Sequence, residues 1–125
     1  MGRPELLALV PALVCALIVG ALSSGCKETT LEDRVCPPEG TTLSYENFGK
    51  PFLDANCQRC HGEPSEGRNG APSGYDFGSV EDVRTYKSRI FSRAAADNTT
   101  MPPGPDDPPI EERERLAEWL ACGAP

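Results

Sequence analysis

Cys57-Gln58-Arg59-Cys60-His61 spells C-x-x-C-H, and the rest of the chain is read outward from it. This is the attachment pattern of a c-type haem. Two thiols add across the haem vinyl groups as thioethers, and the imidazole beside the second is delivered to the iron as proximal ligand. His61 is the single histidine of the 125 residues, so the imidazole donor is already named. Two other chemistries use C-x-x-C. A dithiol redox pair is expected near a βαβ pattern, and none is visible. A zinc site needs four ligands, commonly from two such knuckles, and the remaining cysteines are isolated singles. The histidine directly after Cys60 favours haem over both.

A second donor lies downstream. Met1 leaves with the leader described below, so Met101 is the one methionine of the mature chain. It stands in Thr99-Thr100-Met101-Pro102-Pro103-Gly104, forty residues after His61. A methionine thioether is a common sixth ligand in electron-transfer haems. Pro102 biases Met101 toward extended backbone, and the prolines at 103, 105, 108 and 109 keep the segment irregular. A stiff loop suits a sulfur held against iron. The plain alternative is a proline-rich surface loop that contains a methionine.

With these residues the chain resembles the small single-haem class I c-type cytochromes of bacteria. The likeness rests on Cys57, Cys60, His61, Met101-Pro102 and the closing stretch Leu116-Ala117-Glu118-Trp119-Leu120. Phe52-Leu53 and the ending Cys122-Gly123-Ala124-Pro125 add to it. It covers about residues 41–125 and implies an all-α fold wrapping one covalent haem, which shuttles single electrons. In that family a proline carbonyl accepts the ring N–H of the proximal histidine. Pro72, eleven residues after His61, is the expected acceptor, with Pro64 as competitor and an ordinary turn proline as the alternative. Such a bond would fix the ring and strengthen its donation.

The front of the chain reads as a targeting segment. Arg3 precedes seventeen uncharged residues, 6–22, and Ser23-Ser24-Gly25-Cys26 follow. The small residues before Cys26 resemble a bacterial lipoprotein processing site, with Cys26 lipidated. Ser23 in the place of the usual leucine, and Glu5 near the start, depart from that pattern. An uncleaved transmembrane anchor is the alternative, at the short limit for spanning. Either tethers the domain outside the cytoplasmic membrane, in the cell envelope facing the periplasm or exterior, where the resembled family acquires its haem. The organisation expected is a signal peptide over 1–25, a polar linker over 26–40 and a cytochrome c domain over 41–125.

Six cysteines then sort themselves. Cys15 lies in the leader, Cys26 takes lipid, and Cys57 and Cys60 take haem. Cys36 and Cys122 bracket the domain, and an oxidising compartment permits a disulfide between them; two unpaired thiols are the alternative. The net charge of −7 is unchanged by removing Arg3 and Glu5 together. It argues against nucleic acid and against nonspecific binding to anionic lipid. It suits a cationic redox partner, and equally a plain soluble surface. About a hundred mature residues make a marginal core, to which a covalent haem would add a large apolar centre.

Helices are expected in three places. The first runs from Ser44 or Pro51 to Cys57, with Phe48, Phe52 and Leu53 on its apolar side. Residues 62–78, with five glycines and two prolines, form a loop at the haem edge. A second helix starts at Ser79, with Asp82 as capping-box acid, and ends near Asp97-Asn98. Val80, Val83, Tyr86 or Lys87, Ile90 and Ala94 recur on one face. Among Arg84, Arg89 and Arg93, one is a candidate for a haem propionate, against a solvated face as the plain reading. The last helix spans Pro109 to Gly123 and buries Leu116, Trp119 and Leu120, with Trp119 against the first helix or the haem.

The expectation is a membrane-tethered electron-transfer protein with one haem c, His61 and Met101 on the iron, and redox proteins as partners. No group reads as a distal catalytic acid or base, so no enzyme is expected. The competing reading is a haem-based sensor or gas-binding module in which Met101 leaves the iron open. A third is a subunit that feeds electrons to an enzyme encoded elsewhere.

Overall fold

The computed structural model describes residue 2, residues 29–62 and residues 67–125. The expected leader, its processing site at Cys26 and the competitor proline at 64 lie outside the described residues. Among the described residues are four α-helices and no strand, an all-α arrangement. They are α1 (Lys50–Asn56), α2 (Gln58–His61), α3 (Val80–Ala94) and α4 (Ile110–Ala121).

Both expected starts of the first helix are present, one after the other. Ser44 opens a π-helical turn, Tyr45–Gly49, which runs straight into α1. Its hydroxyl accepts from Asn47 N–H, and Asn47 Oδ1 accepts from Ser44 N–H. Pro51 follows as the second residue of α1, in the first turn where proline is tolerated.

α3 begins where the sequence places it. Ser79 Oγ accepts from Asp82 N–H at 3.2 Å, and Asp82 Oδ2 accepts from Ser79 N–H at 3.1 Å. Val83, Ile90 and Ala94 are buried as the spacing predicts, and Phe91 with them, while Tyr86 packs at the core's edge. The helix stops at Ala94, three residues early, because Ala95 is extended and Ala96 takes a positive φ of 53°. Buried Asn98 then folds back, its amide donating to Phe91 O at 3.0 Å.

α4 closes as expected at Gly123, whose φ is +89°. Gly123 N–H bonds Leu120 O, and Ala124 N–H bonds Trp119 O, the paired bonds of a Schellman end. Arg84 binds the same corner, donating from Nε and Nη2 to Ala124 O.

The core joins α1 and its preceding turn to α3 and α4 through Phe48, Phe52, Leu53, Phe91, Leu116 and Trp119. Trp119 packs on the first helix: its ring meets Phe48 edge-on at 6.0 Å and Tyr45 at 6.5 Å. Its indole N–H points to Pro125 O at 3.3 Å.

The described part of the expected linker is folded onto the domain. A 3-10 turn, Leu31–Asp33, sets Leu31 against the core. Arg34 pairs with Glu114 at 2.5 Å, Thr41 donates to Glu118 at 2.6 Å, and Asn98 donates to Thr29 O at 3.0 Å. Within the expected linker, Arg34 reaches α4 and Thr29 O accepts from the Asn98 amide. Cys36 and Cys122 are joined in a disulfide across 86 positions of sequence, with Cα atoms 4.8 Å apart.

Candidate haem-binding site

Cys57 breaks the path between α1 and α2 with φ −121° and ψ −39°. The next four residues make one helical turn, closed by Cys60 N–H and His61 N–H donating to Cys57 O at 3.0 and 2.9 Å. Both thiols and the imidazole thereby arrive on the wall of a single cavity of about 480 Å³. Its surface is mainly apolar, with Phe52 from α1 and Ile90 and Ala94 from α3. That volume is in the range of sites for organic ligands. Met101 lines the same cavity and is 39% exposed.

The imidazole is oriented from behind. His61 Nδ1 lies 2.6 Å from Tyr75 O. A carbonyl can only accept, so Nδ1 carries a proton, and in the neutral ring that leaves the lone pair on Nε2. That is the tautomer an iron ligand needs. Phe77 stacks on the ring with centroids 4.6 Å apart and returns its N–H to His61 O at 2.9 Å. Gln58 Nε2 holds Phe77 O at 2.7 Å, so helix and loop clasp the ring together.

The acceptor differs from the one expected. Pro72 lines the cavity, but its carbonyl accepts from Arg68 Nη2 at 3.0 Å, and the histidine bond goes to Tyr75. Arg68 is the reason. Its guanidinium also reaches Ala71 O at 3.3 Å and Tyr75 O at 3.3 Å, and it pairs with Asp76. This turns residues 68–72 inward on the arginine, and the chain needs three more residues to return to the imidazole. A glycine-rich loop with an arginine and an aspartate eight apart carried that signal, unread.

The Cys57 thiol is disfavoured as a free thiolate. Burial pushes the Cys57 thiol up to about 12, and the neighbouring Cys60 charge adds to the rise. Reactive cysteines show the opposite shift. Among the described residues, no three His, Cys, Asp or Glu side chains converge as a metal-binding group.

Of the three candidate arginines, Arg89 and Arg93 line the cavity, and Arg89 also lies over the Tyr75 ring at 5.7 Å. Arg84 is committed to Ala124. Arg113 was not foreseen. It is 2% exposed, inside α4, and its guanidinium is surrounded by carbonyls of the Met101 segment. The signal was its register: 113, 116, 117 and 120 form one helical stripe, so a cation occupies a core position.

Residues 47–120, more than half of the chain, match the family model described as cytochrome c oxidase, cbb3-type, subunit III. The chain belongs to that family. It is a c-type cytochrome domain that binds haem c covalently, with its iron, and serves electron transfer. No curated protein and no solved structure matches the chain. The cytochrome c domain fits its group: paired thiols on one turn, an imidazole with a free Nε2, a thioether on the same cavity, and apolar walls. Cys36 and Cys122 stand apart from that cavity as the disulfide.

Proposed function

We propose that this cytochrome domain is an extracytoplasmic single-electron carrier, tethered to a membrane by lipid on Cys26, with His61 and Met101 as iron ligands. The observation that carries the ligand assignment is that Cys57, Cys60, His61 and Met101 line one cavity. Tyr75 O meanwhile fixes His61 in the tautomer that leaves Nε2 free. Haem supplies an iron that cycles between two oxidation states. The chain does the rest. Cys57 and Cys60 would hold the haem as thioethers, and Phe77 with Tyr75 O keeps the imidazole from rotating. Phe52, Ile90 and Ala94 would exclude water from the group, and a Met101 sulfur would favour the ferrous state and a comparatively high potential. Arg89 and Arg93 at the cavity are placed to meet propionates.

Domains of this family are typically extracytoplasmic. Among the described residues, no helix is long and apolar enough to cross a membrane. The uncharged run before Cys26 supports the lipid tether. Partners are redox proteins, and Cys26→Ser is expected to release the protein from membranes or block its processing.

The ligand set is tested by spectroscopy of the holoprotein. Ferric wild type should show the sulfur-to-iron charge-transfer band and resist carbon monoxide when reduced. Met101→Ala should lose the band, lower the reduction potential and bind carbon monoxide readily. Wild-type protein that already binds carbon monoxide and lacks the band is instead a gas-binding module.

A further inference from the structure

We infer that Arg113 is the positioning residue for the Met101 thioether, holding the methionine loop in place by its backbone. This rests on the His61/Met101 ligand reading. The two N–H of Arg113 Nη1 are shared among three carbonyls, Ala94 O at 2.9 Å, Asn98 O at 3.0 Å and Met101 O at 2.8 Å. Nε donates to Pro108 O at 3.2 Å, and Nη2 reaches Asp107 Oδ1 at 3.4 Å. The Arg113 carbonyl in turn accepts from Ala96 N–H at 3.0 Å. The contacts therefore bracket Met101 on both sides and include the residue itself.

The segment has little else to hold it. Residues 97–107, apart from buried Asn98, are exposed or half-buried, and the prolines at 102, 103 and 105 lack an N–H. Three other bonds tie it to α3, Met101 N–H and Thr100 Oγ1 to Arg93 O at 2.8 and 3.3 Å and Asn98 Nδ2 to Phe91 O at 3.0 Å, and Asn98 also reaches Thr29 O. These anchor one edge. Arg113 supplies the interior. A guanidinium is suited to this: five donors in a fixed fork can serve several carbonyls at once, where an ammonium offers one point. Its charge is costly to bury and is met here chiefly by carbonyl dipoles, with one half-exposed carboxylate at the rim. An apolar side chain would serve the core of α4 at lower cost. What the arginine adds is a defined geometry for the loop that carries the thioether.

A thioether binds iron weakly enough to be displaced by imidazole, so imidazole affinity of the ferric holoprotein reads how firmly the loop is held. Arg113→Gln should keep covalent haem and helical circular dichroism, and should lose most of the charge-transfer band. Its imidazole affinity should rise at least about tenfold, the factor given by ~1.4 kcal/mol of lost anchoring. Arg113→Lys keeps the charge but reaches fewer carbonyls. It should retain the band with a few-fold rise in affinity, and it decides the matter if the glutamine variant does not accumulate. Wild-type band and wild-type imidazole affinity in whichever variant folds, with only a lower Tm, would make Arg113 a core support and overturn the inference. A wild-type protein without the band overturns the ligand reading and this inference together. A wild-type band lost in Met101→Ala but untouched in the Arg113 variants overturns this inference alone.

Discussion

The Gly49 backbone lies against the Trp119 indole so closely that a Cβ on Gly49 would fall 2.5 Å from Trp119 Cη2. Trp119 is fully buried, braced by Phe48 and tied to Pro125 O, so it has no room to retreat. This contact sets how near the first helical segment comes to α4. Gly49→Ala should therefore destabilise the holoprotein, by about 1–3 kcal/mol for overpacking, although alanine is the better helix former. Thermal unfolding measures it. The same change in a Trp119→Phe background should cost clearly less, and equal costs would mean that the ring is not the obstacle.

Removing the disulfide should weaken the fold without changing the haem site. The bridge spans 86 positions, and the chain-entropy model assigns a loop of that size about 4.5 kcal/mol. Cys36→Ser with Cys122→Ser should lower the denaturant midpoint and leave the visible spectrum as in wild type. A changed spectrum would show that the bridge bears on the cavity, from which it is separate here.

Arg68 should raise the reduction potential. Its Nη2 shares the Tyr75 carbonyl with His61 Nδ1. A carbonyl already accepting from a cation is a weaker acceptor for the imidazole, which leaves His61 the poorer electron donor. A positive charge beside the carbonyl that holds His61 would also disfavour a ferric iron bound there. Arg68→Gln removes both effects, and they have the same sign. The potential should fall by tens of millivolts in a spectroelectrochemical titration, and a rise would contradict the shared bond.

The Tyr75 side chain, by contrast, is not the acceptor. Tyr75→Phe keeps the carbonyl and the ring that packs on Tyr86 at 5.3 Å. Its potential and charge-transfer band should match wild type. A large shift would place a phenol, rather than a backbone atom, in contact with the site.

These cases show what a sequence exposes and what it conceals. The C-x-x-C-H turn, the Ser79 cap, the stripe of α3 and the Gly123 stop each depend on neighbours within a few residues, and each is found where local spacing puts it. The Cys36–Cys122 pair needed only a count of leftover thiols. The hidden features depend on backbone carbonyls. Nothing in the identity of residue 75 announces that its main chain will meet His61, and Pro72 was chosen by a likeness that Arg68 defeats. Arg113 was visible as a register anomaly, yet apart from the Asp107 carboxylate its partners are again main-chain oxygens, from residues 94 to 108. The early end of α3 likewise turns on Ala96 adopting a positive φ, which alanine does not advertise.

The Cys36–Cys122 bridge also fixes how the domain responds to being pulled. Tension arriving from the amino-terminal side meets Thr29 first, where the Asn98 bond and the Leu31 packing can give way. It then reaches Cys36, which is covalently joined to the far end of α4. From there the load passes into the carboxy-terminal corner and leaves residues 57–61 outside the line of force. A domain drawn about by a tether at its front would peel back to residue 36 and halt, with its redox centre mechanically sheltered behind that stop.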